Sequence, residues 1–245
     1  MKKIQKELHI WGEANGVRFD AGKESFHILS KRIGYGGKFK LLGINFDSKL
    51  LMHDAVHDCV VACNWKLQSI FRSKKFYCDA DVLITFKAHI LSCIEYRTAA
   101  ICHAAPSCLE ALDDILSRLL VRLGISHEEA LFHFNLAPLN ARRDIAQLGM
   151  IHRAVLRNGP PQLHHFFIRV RPFHGHAYSI YDPCVGRSQH FFKRSIFGLI
   201  QYYNRLPDDI INLKDVNHFQ SSLQSLLKKA ISDNDPNWKN TFRVG

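Results

Sequence analysis

From Leu50 onward the apolar residues of this 245-residue chain recur at steps of three and four, a period that dictates a body of α-helices. Val56, Val60, Cys63, Leu67 and Ile70 form one core-facing stripe on a helix over about residues 50–72. Leu83, Phe86, Ile90 and Ile94 mark a second helix. Pro106 opens a third, in which Leu109, Leu112, Leu116, Leu119 and Leu123 keep coiled-coil-like spacing until Gly124 ends it. Ser126 and Glu129 are spaced as a capping box. Asn140 reads as the cap of a helix carrying Ile145, Leu148, Ile151 and Val155, closed by Asn158-Gly159-Pro160-Pro161. Helical spacing returns near residues 192–203 and again through Leu213, Val216, Phe219, Leu223, Leu226 and Ala230.

The beginning of the chain departs from that period. Ile4, Leu8 and Trp11 suit one helix ending at Asn15-Gly16, and residues 25–30 and 38–46 read as two strands about a Gly34-Tyr35-Gly36-Gly37 turn. The expected fold class is therefore α+β, mainly α: a helix and a β-hairpin over 1–47, a helical region over 48–135 and a further helix over 136–168. A His-, Gly- and Pro-rich loop or linker over 169–190, a helical segment over 191–232 and a frayed tail over 233–245 complete the division.

Charge narrows the partners. The formal net charge of +11 favours polyanions, with nucleic acid first and a phospholipid surface nearly equal on charge alone. Residues 142–195 concentrate it, with nine basic against two acidic side chains. Seven cysteines, an odd number spread through helical sequence, read as reduced thiols of an intracellular protein. The N-terminus lacks an apolar signal-peptide core, and no run approaches the ~18 apolar residues of a membrane span. A soluble chain with no membrane partner is expected, with nothing to choose between nucleus and cytoplasm.

Few side-chain groupings suit catalysis. Polymerases hold two metal ions on palm carboxylates placed in a strand hairpin. Asp113-Asp114 lies on the outer face of the leucine-rich helix, and Asp208-Asp209 suits the first turn of another, where acids complement the dipole. His53, His57, Cys59 and Cys63 invite a zinc reading, but on one helix His57 and Cys59 point ~160° apart and cannot share an ion. His164-His165, His174 and His176 read as solvated or phosphate-contacting. No phosphate-binding loop, nucleophile elbow or dinucleotide fingerprint is present.

Basic residues carry more promise. Arg72, Lys74 and Lys75 close the first long helix, where positive charge complements the C-terminal dipole. Arg142-Arg143 falls in the first turn of its helix, where cations are disfavoured, so an anion must compensate: Asp144, another carboxylate of the fold, or a phosphate.

The order of segments then becomes informative. Trp11, Asn15 and Lys23 in WGEANGVRFDAGKESFHILS, followed by KFKLLGINFDSKL around Phe39, Leu42, Gly43 and Asp47, resemble the late palm and primer grip of LINE-type reverse transcriptases. Trp65-Lys66-Leu67, ITFKAHILSCIEY and LNARRDIAQLGMIHR follow in the order of that family's thumb and post-thumb regions. The closing FFKRSIFGLIQYYNRLPDDIINLKDVNHFQSSLQSLLK resembles the end of chicken-repeat-like and Jockey-like elements.

The resemblance covers about residues 4–168 and 188–229 and implies an RNA-directed DNA polymerase of a non-LTR retrotransposon. It also implies that the fingers and the catalytic aspartates fall upstream of Met1, so that this chain polymerises nothing alone. Mg2+ would belong to the complete enzyme, and a separate palm and fingers fragment is an expected partner. Lys23 would lie near the incoming nucleotide, Phe39, Lys40 and Gly43 would set the primer end, and the helices after Leu50 would grip RNA–DNA or DNA duplex by its backbone. The rival expectations are a free-standing nucleic-acid-binding helical module and a protein-interaction scaffold.

Overall fold

The computed structural model describes residues 2–20, 22, 24, 25, 27–30, 37–170, 175–184 and 190–243. It is mainly helical with one small antiparallel hairpin, the α+β, mainly α class expected. Helix α1 spans Lys2–Ala14 and leaves Ile4, Leu8 and Trp11 exposed. The hairpin pairs β1 (Phe39–Leu41) with β2 (Ile44–Phe46), in register Phe39 to Phe46 and Leu41 to Ile44.

The hairpin thus lies wholly within 38–46, not between that run and residues 25–30. Leu42 (φ 49°) and Gly43 (φ 79°) both take positive φ, the requirement of a two-residue type I′ turn that matches strand twist. Gly43 meets it freely, whereas Leu42 is strained there, and the Tyr96 hydroxyl donates to its carbonyl at 2.8 Å. Of the earlier run, Ser30 donates its amide to the Ser48 carbonyl at 2.9 Å, and residues 34–36 of the expected turn lie outside the described residues.

The first core is built on α2 (His53–Ser73) and α5 (Pro106–Leu123). Cys59, Cys63, Leu67 and Ile70 meet Leu112, Ile115, Leu116 and Leu119 there, all buried as the stripes dictate. Helices α3 (Asp79–Phe86) and α4 (Ser92–Ile101) pack on α2, joined through a π turn at Lys87–Leu91 that keeps the chain helical. Gly124 takes φ 69° to end α5, and Ser126 caps α6 (His127–Phe134) in the reciprocal capping box with Glu129.

Helix α7 (Leu139–Val155) links this core to a second one. Its N-cap is Pro138, so Asn140 lies inside the helix; the Asn140 amide instead donates to the Lys239 carbonyl at 2.8 Å. Of the four helices that follow, α8 (His190–Arg194), α9 (Ile200–Tyr203), α10 (Asp208–Ile211) and α11 (Val216–Ser232), α11 packs along α7 and α10 packs on α11. A Cβ on Gly149 would stand 2.4 Å from the Gln220 amide nitrogen, so the Gln220 side chain of α11 lies against the bare backbone of α7 there.

Two expected loose segments are packed. Between 175 and 184, His176, Ser179 and Ile180 are buried, and Asn204 hydrogen-bonds both the amide and the carbonyl of Ile180. The expected frayed tail buries Trp238 and Phe242, because their apolar area finds the second core. No described helix is long and apolar enough to cross a membrane.

Candidate nucleic-acid interface

Helices α2 and α5 run in the same direction. Asn64 accepts from the Arg118 guanidinium at 2.5 Å, and farther along Arg122 lies 5.9 Å over the Phe71 ring. Their C-terminal ends therefore sit side by side, and their carbonyl dipoles make that end partly negative. Lys74 answers part of this by donating to the Arg122 carbonyl at 2.8 Å, besides an ion pair with Asp79 at 3.7 Å. Between the helices runs an open groove of about 1210 Å³ bearing Arg72, Arg118 and Arg122 against one carboxylate, Asp114.

The groove's edges mix aromatic, apolar and cationic groups. Val61, Trp65, Gln68 and Arg72 step by four, three and four along the exposed side of α2, Lys75 is exposed in the short 3-10 turn just past its end, and Trp65 is 70% exposed. Across the groove Val121 is 81% exposed. Arg72 makes no hydrogen bond or ion pair to any described residue, and Arg118 spends its guanidinium on neutral oxygens alone, Asn64 Oδ1 and the Asp114 carbonyl. Lys75 lies over the Phe76 ring at 4.9 Å and is otherwise solvated. Such a surface can hold phosphate by charge and present an aromatic face to a base or sugar.

The remaining expected site residues lie elsewhere. The Phe39 ring is stacked between His27, 4.0 Å away, and Phe46, 5.3 Å away. Lys40 is exposed on β1, and Gly43 serves the turn. The hairpin is tied to the start of α2 by Lys38–Asp54 and Asn45–Asp58, each at 2.6 Å. From Asp58 to Arg72 along the helix is about 21 Å, so the primer-grip-like residues and the groove arginines form two separate places. Lys23 lies outside the described residues.

Arg142 and Arg143 find carboxylates inside the fold. Arg143 donates through two nitrogens to both oxygens of Asp113, at 2.7 and 2.8 Å, and Arg142 donates to Glu95 at 2.7 Å. Asp113 is accordingly not on a free outer face, and Asp144 is taken instead by Arg243, at 2.5 Å. Burial pushes the Asp144 carboxyl up, and the Arg243 guanidinium opposes it. His176 is buried as well: its Nε2 donates to the Tyr203 carbonyl at 2.9 Å, and its Nδ1 accepts from the Tyr178 amide at 3.2 Å. That histidine is committed to the core rather than to phosphate. His174 lies outside the described residues.

Among the described residues, Asp113-Asp114 and Asp208-Asp209 both lie in helices, not in a strand hairpin. His53 and His57 are exposed while Cys59 and Cys63 are buried, so those four do not converge. No family model, no curated protein and no solved structure matches the chain. What the groove can do thus rests on its own chemistry. Arg118 and Arg122, absent from the sequence-based site, were findable as an i, i+4 cationic pair beside the leucine stripe of α5.

Proposed function

We propose that this chain is the duplex-gripping C-terminal part of a non-LTR retrotransposon reverse transcriptase, binding RNA–DNA or DNA duplex through its phosphates without catalysing polymerisation alone. The observation that carries the reading is the α2–α5 groove, lined by Arg72, Arg118 and Arg122, with Trp65 exposed on the same helix as Arg72. The family's order of segments supports it, since α2 directly follows the primer-grip-like hairpin, where that family places its thumb. Backbone contacts of this kind position a duplex and carry no sequence information. The exposed stripe of Ile4, Leu8 and Trp11 on α1 is a surface that a palm would cover.

Photocrosslinking tests the assignment directly. An RNA–DNA duplex carrying 5-iodouridine is expected to label peptides from residues 61–75 and 114–122. Labelling confined to the hairpin or to residues 142–170 would contradict the groove assignment. Absence of any labelling would favour the rival reading of a protein-docking face, for which Val61, Trp65 and Val121 supply exposed apolar surface.

A further inference from the structure

Three thiols converge in the first core, away from the groove arginines. Cys59 and Cys63, four residues apart on α2, lie on one face, and Cys93 in the first turn of α4 is brought against them just past the π turn. Their sulfurs all lie within 4.8 Å of one another, with Cys59 and Cys63 wholly buried and Cys93 partly so. An ion with bonds of about 2.3 Å to three sulfurs in a plane needs them about 4.0 Å apart. Closing the triad around an ion thus takes less than about 1 Å of movement at each sulfur, within reach of a χ1 adjustment.

The surroundings suit a thiolate cluster. The Arg97 guanidinium donates to Cys93 Sγ at 3.0 Å and to the Cys93 carbonyl at 2.8 Å, which fixes a cation against the sulfurs. Three thiolates on a divalent ion carry one net negative charge, which Arg97 would neutralise.

We propose that Cys59, Cys63 and Cys93 form a binding site for one thiophilic d10 cation, zinc or copper(I). For zinc the balance is Zn2+ plus three thiols giving the tris-thiolate with one negative charge and three protons released, a water completing the fourth position. For copper(I) the same three thiols lose three protons and give a three-coordinate tris-thiolate with two negative charges, one of them facing Arg97, and no added ligand. Soft thiolates select these ions over hard cations such as Mg2+. The site is independent of nucleic-acid binding, since none of its residues lines the groove.

The experiment uses the full chain, reduced and metal-free under nitrogen, titrated with zinc or copper(I) against a chromophoric chelator and weighed by native mass spectrometry. One ion per chain is expected, held at least about 100-fold more tightly by the wild type than by Cys93→Ser, with a metal-dependent rise in Tm that this variant lacks. Cys78→Ser, at an exposed cysteine, should bind like the wild type. Either ion releases three protons on binding, and the relative strength of retention against the chelator identifies the ion the site prefers. Failure of both ions to survive the competition, or equal retention by Cys93→Ser, would overturn the proposal. So would a native disulfide of Cys93 with Cys59 or Cys63, a mass lower by the two hydrogens lost.

Discussion

Arg143 and Asp113 form a two-pronged ion pair between α7 and α5, with N–O distances of 2.7 and 2.8 Å and the Arg143 side chain only 7% exposed. The pair crosses the boundary between the two cores, because Leu112 and Leu116 beside Asp113 belong to the first and Ile145 beside Arg143 belongs to the second. A cation disfavoured at a helix start is thereby compensated from the neighbouring helix.

Breaking that pair should cost stability and leave phosphate binding alone. Arg143→Gln is expected to lose about 2–4 kcal/mol in urea unfolding, because the Asp113 carboxylate loses a buried partner. Arg142→Gln, whose pair with Glu95 is more exposed, should lose less than about 1 kcal/mol. Equal, small losses would mean that the Arg143 pair is solvated in solution.

The C-terminus should prove structural. Phe242→Ala is expected to cost about 3–5 kcal/mol, since its ring is 1% exposed in the second core. Arg243→Gln strands the Asp144 carboxyl, which burial already pushes up, so the folded state then binds a proton more readily than the unfolded one. Stability must therefore fall as pH rises through that window, and the defect of Arg243→Gln relative to wild type should shrink on acidification. A defect that grows toward acid would refute this account of Asp144.

His152 gives the opposite sign. Its Nε2 donates to the Leu213 carbonyl at 2.6 Å, its Nδ1 accepts from the Tyr203 hydroxyl at 3.0 Å, and its ring stacks on Phe219 at 4.0 Å. Burial holds its pKa below the ordinary 6.5, so the unfolded chain takes a proton that the folded chain refuses. Stability contributed by neutral His152 is complete above that value and is lost as pH falls below it, by at most about 1.4 kcal/mol per pH unit. Urea midpoints between pH 7 and 5 should show the decline, and a His152→Gln chain should show a shallower one. An unchanged slope would place the acid sensitivity elsewhere.

Much of this was legible in the sequence where burial and period coincide. The stripes of α2 and α5 and the Ser126 capping box lie where a period of 3.6 and side-chain capping put them. The hairpin was displaced because a glycine-rich run competes with Leu42-Gly43, and nothing local announces that a leucine will adopt positive φ. Long-range partners were hidden for another reason. Arg243 with Asp144, Arg143 with Asp113, and Cys93 with Cys59 and Cys63 pair residues far apart in sequence, and a single sequence offers no signal for such contacts. The groove was half visible: Arg72, Lys74 and Lys75 stood out as a helix end and Arg118 with Arg122 as an i, i+4 pair, whereas their meeting with Arg72 emerged only when α5 lay parallel to α2.

Helix α1 should be the least protected element. Ile4, Leu8, Ile10 and Trp11 are all more than half exposed, so α1 gains little from burial. Hydrogen exchange over α1 is expected to run well ahead of that over α5. Matching protection of the two helices would show that α1 finds a cover in solution, such as a second copy of the chain.

The central claim is tested most directly by the salt dependence of duplex binding. Fluorescence anisotropy with a short RNA–DNA duplex should show log affinity falling linearly with log salt, with little sequence preference. Replacing Arg72, Arg118 and Arg122 together by Gln should make that slope shallower by up to about three units, while Arg142→Gln leaves it unchanged. A folded triple variant that keeps the wild-type slope, or a wild-type chain with no measurable duplex affinity at low salt, would contradict the account.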